Sequence, residues 1–244
     1  MDSVLINLFT PRKPERVLFL LDTSTEQQAH EVFNEPPTFT KKKKFAHIKR
    51  AVEIFIRSKA QMDDQNQYAI MTADSTVLWH VEFTAKVDII VQYLRMLEAT
   101  SAPGPCDLDN LAYLLRQRME IVEGQELPYA LHILFLYTRN TIQPTLSDSS
   151  LSLFRHPDVH FDFLQACESR LARSDARSLP VFLTRLERPS NYFTDVGSDV
   201  DKLLNVLSLC SAHPNQRSAF STVLLWLQKQ REYRAKSSSR SIRR

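Results

Sequence analysis

Five apolar residues in a row, Val17 to Leu21, end abruptly at Asp22. A short continuous apolar run bounded by polar residues predicts a strand buried on both faces, over 16–22. Ala130–Thr138 (ALHILFLYT) has the same character and predicts a second central strand. Residues 67–73 and 76–83 read as two further strands. The link between them is so short that they form a hairpin, which makes 76–83 an antiparallel edge strand. Val159–Ala166 and Tyr192–Val196 complete the set. Apolar residues recur at helical spacing over 42–60, 86–98, 108–122, 199–211 and 220–233. Asp107 stands as the N-cap of the third of these. Val4–Leu8 reads as an arm or an edge strand interrupted by Pro11 and Pro14. Strands alternating with helices predict an α/β, doubly wound, Rossmann-like fold. Its sheet has about six strands, mostly parallel, with one antiparallel edge strand.

Composition narrows the chemistry. The chain has 244 residues, 43% hydrophobic and 24% charged, the make-up of a soluble globular domain with tails. It carries three glycines, against about 7% in an average chain. Phosphate-cradling loops need closely spaced glycines so that backbone N–H groups can approach the phosphate. Their absence argues against dinucleotide-binding and P-loop chemistry. No GxSxG elbow and no HExxH occur either. Three cysteines without a CxxC favour buried thiols over a disulfide framework or a zinc site. No apolar run reaches the roughly 20 residues of a membrane span. The N-terminus does not read as a signal peptide. Net charge is +3. Two basic runs contribute, Lys41–Lys44 and the tail from Arg231 to Arg244. They read as a solvated helix start and a disordered tail rather than a nucleic-acid patch. Four lysines at a helix N-terminus oppose its dipole, so the helix begins near Lys44 or the lysines meet an acidic partner.

The carboxyl end of the first strand carries Asp22-x-Ser24-x-Glu26. Ligands gather at such strand ends in open α/β sheets. The element order with this Asp-x-Ser resembles the von Willebrand factor A domain. In that family a DxSxS motif, a Thr before the third helix and an Asp after the fourth strand hold Mg²⁺ through hard oxygen ligands. Asp22 and Ser24 match. Glu26 replaces the last serine, Cys106 stands near the threonine position, and Arg139 stands at the aspartate position. A guanidinium beside a cation is repulsive. The site therefore reads as degenerate, with no metal and no cofactor, and Asp22 is expected to pair with Arg139.

A closer resemblance spans about 16–217. The carriers are RVLFLLD (16–22), EIFIRSK (53–59), LEATS and LDNL within 97–111, LPYALHILFLYTR (127–139), FRHPDVHFDF (154–163) and AHPNQR (212–217). This order is similar to the von Willebrand factor A-like scaffold subunits of the BRISC deubiquitinase complex, shared with a related nuclear BRCA-A DNA-damage complex. The resemblance implies a non-catalytic protein, cytoplasmic and nuclear. It implies docking on the ubiquitin-E2-variant subunit BRE, beside an Abraxas-type scaffold and a zinc-dependent JAMM deubiquitinase that does the cleaving. The chain itself divides into an arm (1–15), the domain (16–217), a C-terminal helix (218–234) as a candidate docking element and a basic tail (235–244). Membrane and direct nucleic-acid contacts are not expected. The alternative is an autonomous metal-dependent ligand-binding domain.

Other candidates are weaker. His156 and His160 lie four apart, but Pro157 opposes a helix there, so they read as a surface loop and strand entry. Cys106 lacks the local signature of a nucleophile. Binding surfaces are better candidates: Pro128 and Tyr129 ahead of the fourth strand, and Leu224, Trp226, Leu227 and Tyr233 on the last helix. That helix is apolar on more than one face, so it is buried either on its own sheet or against a partner.

Overall fold

The structure is a computed structural model and describes residues 13–24, 37–100, 106–139, 144–166, 178–197 and 199–217. The N-terminal arm, Glu26, the last helix with Leu224, Trp226, Leu227 and Tyr233, and the basic tail lie outside the described residues.

Within them, the chain runs β1 (Glu15–Asp22), α1 (Pro37–Met62), β2 (Gln67–Ala73), β3 (Val77–Thr84), α2 (Val87–Met96) and α3 (Leu108–Met119). It continues through β4 (Ala130–Tyr137), α4 (Asp148–Phe154), β5 (Val159–Gln165), α5 (Ser178–Arg185), β6 (Phe193–Asp195) and α6 (Val200–Cys210). A 3₁₀ turn at Pro214–Gln216 follows. The strands form one sheet in the order β3-β2-β1-β4-β5-β6, and β3 is antiparallel. The two all-apolar runs, β1 and β4, pair in parallel at the centre, Leu18 opposite Ile133 and Leu21 opposite Leu136. Uninterrupted apolar strands need cover on both faces, and the helices supply it. Leu18, Leu20, Ile133, Phe135, Phe161 and Phe163 point to one face, against Leu111 and Leu115 of α3, Phe154 of α4 and Phe182 of α5. Val17, Phe19, Leu134 and Leu164 point to the other, against Val52 and Ile56 of α1, Ile90 of α2 and Leu207 of α6. No helix of the described residues is long and apolar enough to cross a membrane.

Local signals set the ends. The Asp107 side chain accepts from the Asp109 backbone N–H and caps α3; the helix closes at Glu120, whose φ of 50° is left-handed. One boundary is corrected. α1 begins at Pro37 rather than at 42, because proline at a first helical position has a fixed φ and no N–H to lose. The lysine run then falls beyond the first turn, which relaxes the conflict with the dipole. The short helices α4 and α5 are additions to the expected order; seven and eight residues are too few for periodicity to register.

Candidate functional site

Parallel register brings the carboxyl ends of β1, β2 and β4 side by side, with Asp22 opposite Ala73. Asp22 is buried there. Its Oδ1 accepts from the Ser24 backbone N–H (3.1 Å) and Ser24 Oγ (2.8 Å). Its Oδ2 accepts from the Thr138 backbone N–H (2.9 Å) and Thr138 Oγ1 (3.1 Å). Arg139 Nε donates to Oδ1 at 3.0 Å and to Oδ2 at 3.3 Å. Arg139 is 1% exposed, and its Nη2 donates to the carbonyls of Asp74 (2.6 Å) and Ala73 (3.4 Å). Thr100 ties a neighbouring loop to the cluster: its N–H donates to the Thr23 carbonyl and its hydroxyl to Asp74 Oδ2. Burial pushes the Asp22 carboxyl up, while Arg139, Thr138 and Ser24 pull it back down.

These residues do not fit the divalent cation that a von Willebrand factor A motif implies. Both Asp22 oxygens are engaged by N–H and O–H donors, and a guanidinium already faces them. Cys106 is fully buried and burial pushes its thiol up to about 12, the wrong direction for a hard-cation ligand or a nucleophile. Among the described residues no group of three or more His, Cys, Asp or Glu is placed to hold a metal ion.

The other sequence candidates separate. Pro128 is exposed. Tyr129 is 7% exposed, with the Arg16 guanidinium 4.1 Å over its ring. His156 and His160 are corrected from surface to interior. Pro157 keeps them off a common helix, and each ring finds its own partner. His156 Nε2 lies 2.6 Å from the Gln125 carbonyl, and His160 Nδ1 lies 3.1 Å from Ser190 Oγ.

A second polar cluster, at the opposite end of the sheet, escaped the reading of the sequence. His132 of β4 is fully buried between two carboxylates, Nδ1 at 2.9 Å from Glu15 Oε1 and Nε2 at 2.8 Å from Asp162 Oδ2. Lys59 of α1 pairs with Glu15 at 2.8 Å, and Arg217 pairs with Asp162 at 2.7 Å. Lys59 also donates to the Ser211 carbonyl, and Arg217 donates to those of Cys210 and Ala212. The cluster thus fastens the segment after α6 to the sheet. Its partners hold the Glu15 carboxyl down to about 2 against the opposing effect of burial. The available signal was a carboxylate in the middle of a buried strand, Asp162 in VHFDFLQ, because a buried charge requires a partner.

With the geometry described, comparison with known proteins defines the class. The fold is von Willebrand factor A-like. The chain superposes on the SpRpn10 VWA domain with a TM-score of 0.53 at 14% identity, over 84% of this chain and 98% of that one. On the PilB minor pilin from Streptococcus sanguinis it gives 0.56 at 11% identity, over 85% of this chain and 63% of the pilin chain. No family model matches. Among curated proteins the chain is similar to the Xenopus tropicalis BRISC and BRCA1-A complex member 1, 28% identical over 225 residues, 86% of this chain and 69% of that protein. The Homo sapiens protein of the same name is 22% identical over 227 residues, 87% and 68% of the two chains.

Proposed function

We propose that this chain is a non-catalytic scaffold subunit of a BRISC-type polyubiquitin-cleaving complex, docking on the E2-variant subunit BRE. The observation that carries the reading is a similarity to BRISC and BRCA1-A complex member 1 that runs through 86% of the chain rather than one motif. The Asp22–Arg139 pair supports it: a sheet end closed by its own arginine offers neither a metal centre nor an activated nucleophile. Hydrolysis then belongs to the JAMM subunit, with an Abraxas-type partner beside it. The docking elements in this reading are the 218–234 segment, through Leu224, Trp226, Leu227 and Tyr233, and the exposed Pro128. Cytoplasmic and nuclear residence follow from the same reading.

The test is co-expression with BRE, followed by size-exclusion chromatography with light scattering. Co-elution at the summed mass is expected. A monodisperse chain that ignores BRE overturns the assignment.

A further inference from the structure

The guanidinium of Arg139 has the surroundings of a bound ion. It is carried on the chain just past β4, yet everything it touches among the groups named above belongs to other strand ends. Asp22 closes β1, and Ala73 and Asp74 end β2 and begin its turn into β3. Facing it are one carboxylate and two carbonyl oxygens, an all-oxygen environment suited to a cation. The side chain is nine-tenths or more buried, so it serves no solvent-facing purpose. A buried charge of this kind is tolerated only where geometry is good and the remaining lone pairs are satisfied. Asp22 meets that condition through Ser24 and Thr138.

We infer that Arg139 is a positioning residue that acts as a tethered cation. Its guanidinium takes the place of a divalent ion at the sheet end and holds the ends of β1, β2 and β4 in one fixed arrangement, independent of metal. The planar fork explains why arginine rather than lysine stands here. Nε–H meets the carboxylate while Nη2 reaches the carbonyls, which a single ammonium point charge does not span. The inference does not depend on the proposed role in a complex, because it concerns the isolated chain.

The experiment measures thermal unfolding of the full chain for wild type, Arg139→Ala and Arg139→Lys. Each is run with ethylguanidinium chloride, sodium chloride or magnesium chloride at low millimolar concentration. Arg139→Ala leaves Asp22 buried without its counter-charge, and a midpoint lower by roughly 10 °C is expected. Ethylguanidinium, which restores the deleted fork, raises the midpoint of Arg139→Ala and leaves wild type unchanged. Sodium chloride does neither. Arg139→Lys falls between wild type and Arg139→Ala. Magnesium does not raise the wild-type midpoint. An unchanged midpoint in Arg139→Ala overturns the inference. So does rescue by sodium chloride as effective as that by ethylguanidinium, or a magnesium-induced rise in wild type. If Arg139→Ala does not fold, the Arg139 Nε–H proton in the wild-type NMR spectrum decides. Slow exchange with water supports a locked guanidinium, and fast exchange overturns it.

Discussion

At the scale of single residues, the decisive events are charges taken out of water. His160 carries a pH dependence. Burial pushes its imidazole down to about 3, and the guanidiniums of Arg188 and Arg217 add to that effect. In the unfolded chain the ring takes a proton near its ordinary value of 6.5, whereas the folded ring stays neutral until about 3. Between those values the unfolded state binds more protons. Stability is therefore whole above pH 6.5 and declines as the pH falls toward 3, by at most about 1.4 kcal/mol per pH unit for this group. His80 is shifted in the same direction by burial. Glu15 and Asp162, both held below the usual carboxylate range, act in a lower window: their contribution is present above the ordinary carboxylate values and is lost as the folded groups take protons. The thermal midpoint should fall between pH 6.5 and 5. His160→Gln should flatten that segment of the profile, and an unchanged slope would remove His160 as the cause. Asp162→Ala strands Arg217 and His132 in the interior. It should cost about 3–5 kcal/mol in urea unfolding, a result that a surface ion pair would not give.

At the scale of elements, the ends of the sheet differ in how they are closed. One is closed by Arg139 against Asp22. The other is closed by the Lys59–Glu15–His132–Asp162–Arg217 chain, which also fixes the segment after α6. Lys13 lies nearby, its carbonyl accepting from His213. Trp226→Ala should weaken co-elution with BRE by more than it lowers the melting point of the chain alone, because aromatic anchors carry a large share of interface energy. Unchanged binding with a lowered melting point would place the 218–234 helix in the domain's own core. The edge strands also differ. β6 has three residues, while the eight of β3 are interrupted by register shifts against β2 and carry Glu82 paired with Arg118. Short, bulged and charged edges discourage further strand pairing.

At the scale of the whole molecule, much of the fold was legible because the sheet is built from strong local signals. The apolar runs ending at Asp22 and Thr138 marked central strands. The short link after Ala73 marked the hairpin and hence the antiparallel edge. Period, run length and turn length are local quantities, so the chain alone determined the strands, the longer helices and the parallel character of the sheet. It also determined which motif positions hold Glu26, Cys106 and Arg139 in place of a hydroxyl or carboxylate. Burial and convergence are not local. Tyr129 lies under the Arg16 guanidinium, and His156 and His160, which read as a surface loop and strand entry, are enclosed by β5 and its neighbours. Glu15 meets His132 across 117 positions, and Asp22 meets Arg139 across the same span. Those pairings depend on strand register and on the helices that exclude water. Only the tertiary structure could decide that one lone histidine sits between two carboxylates, and that the arginine expected to pair with Asp22 also reaches the carbonyls of Ala73 and Asp74.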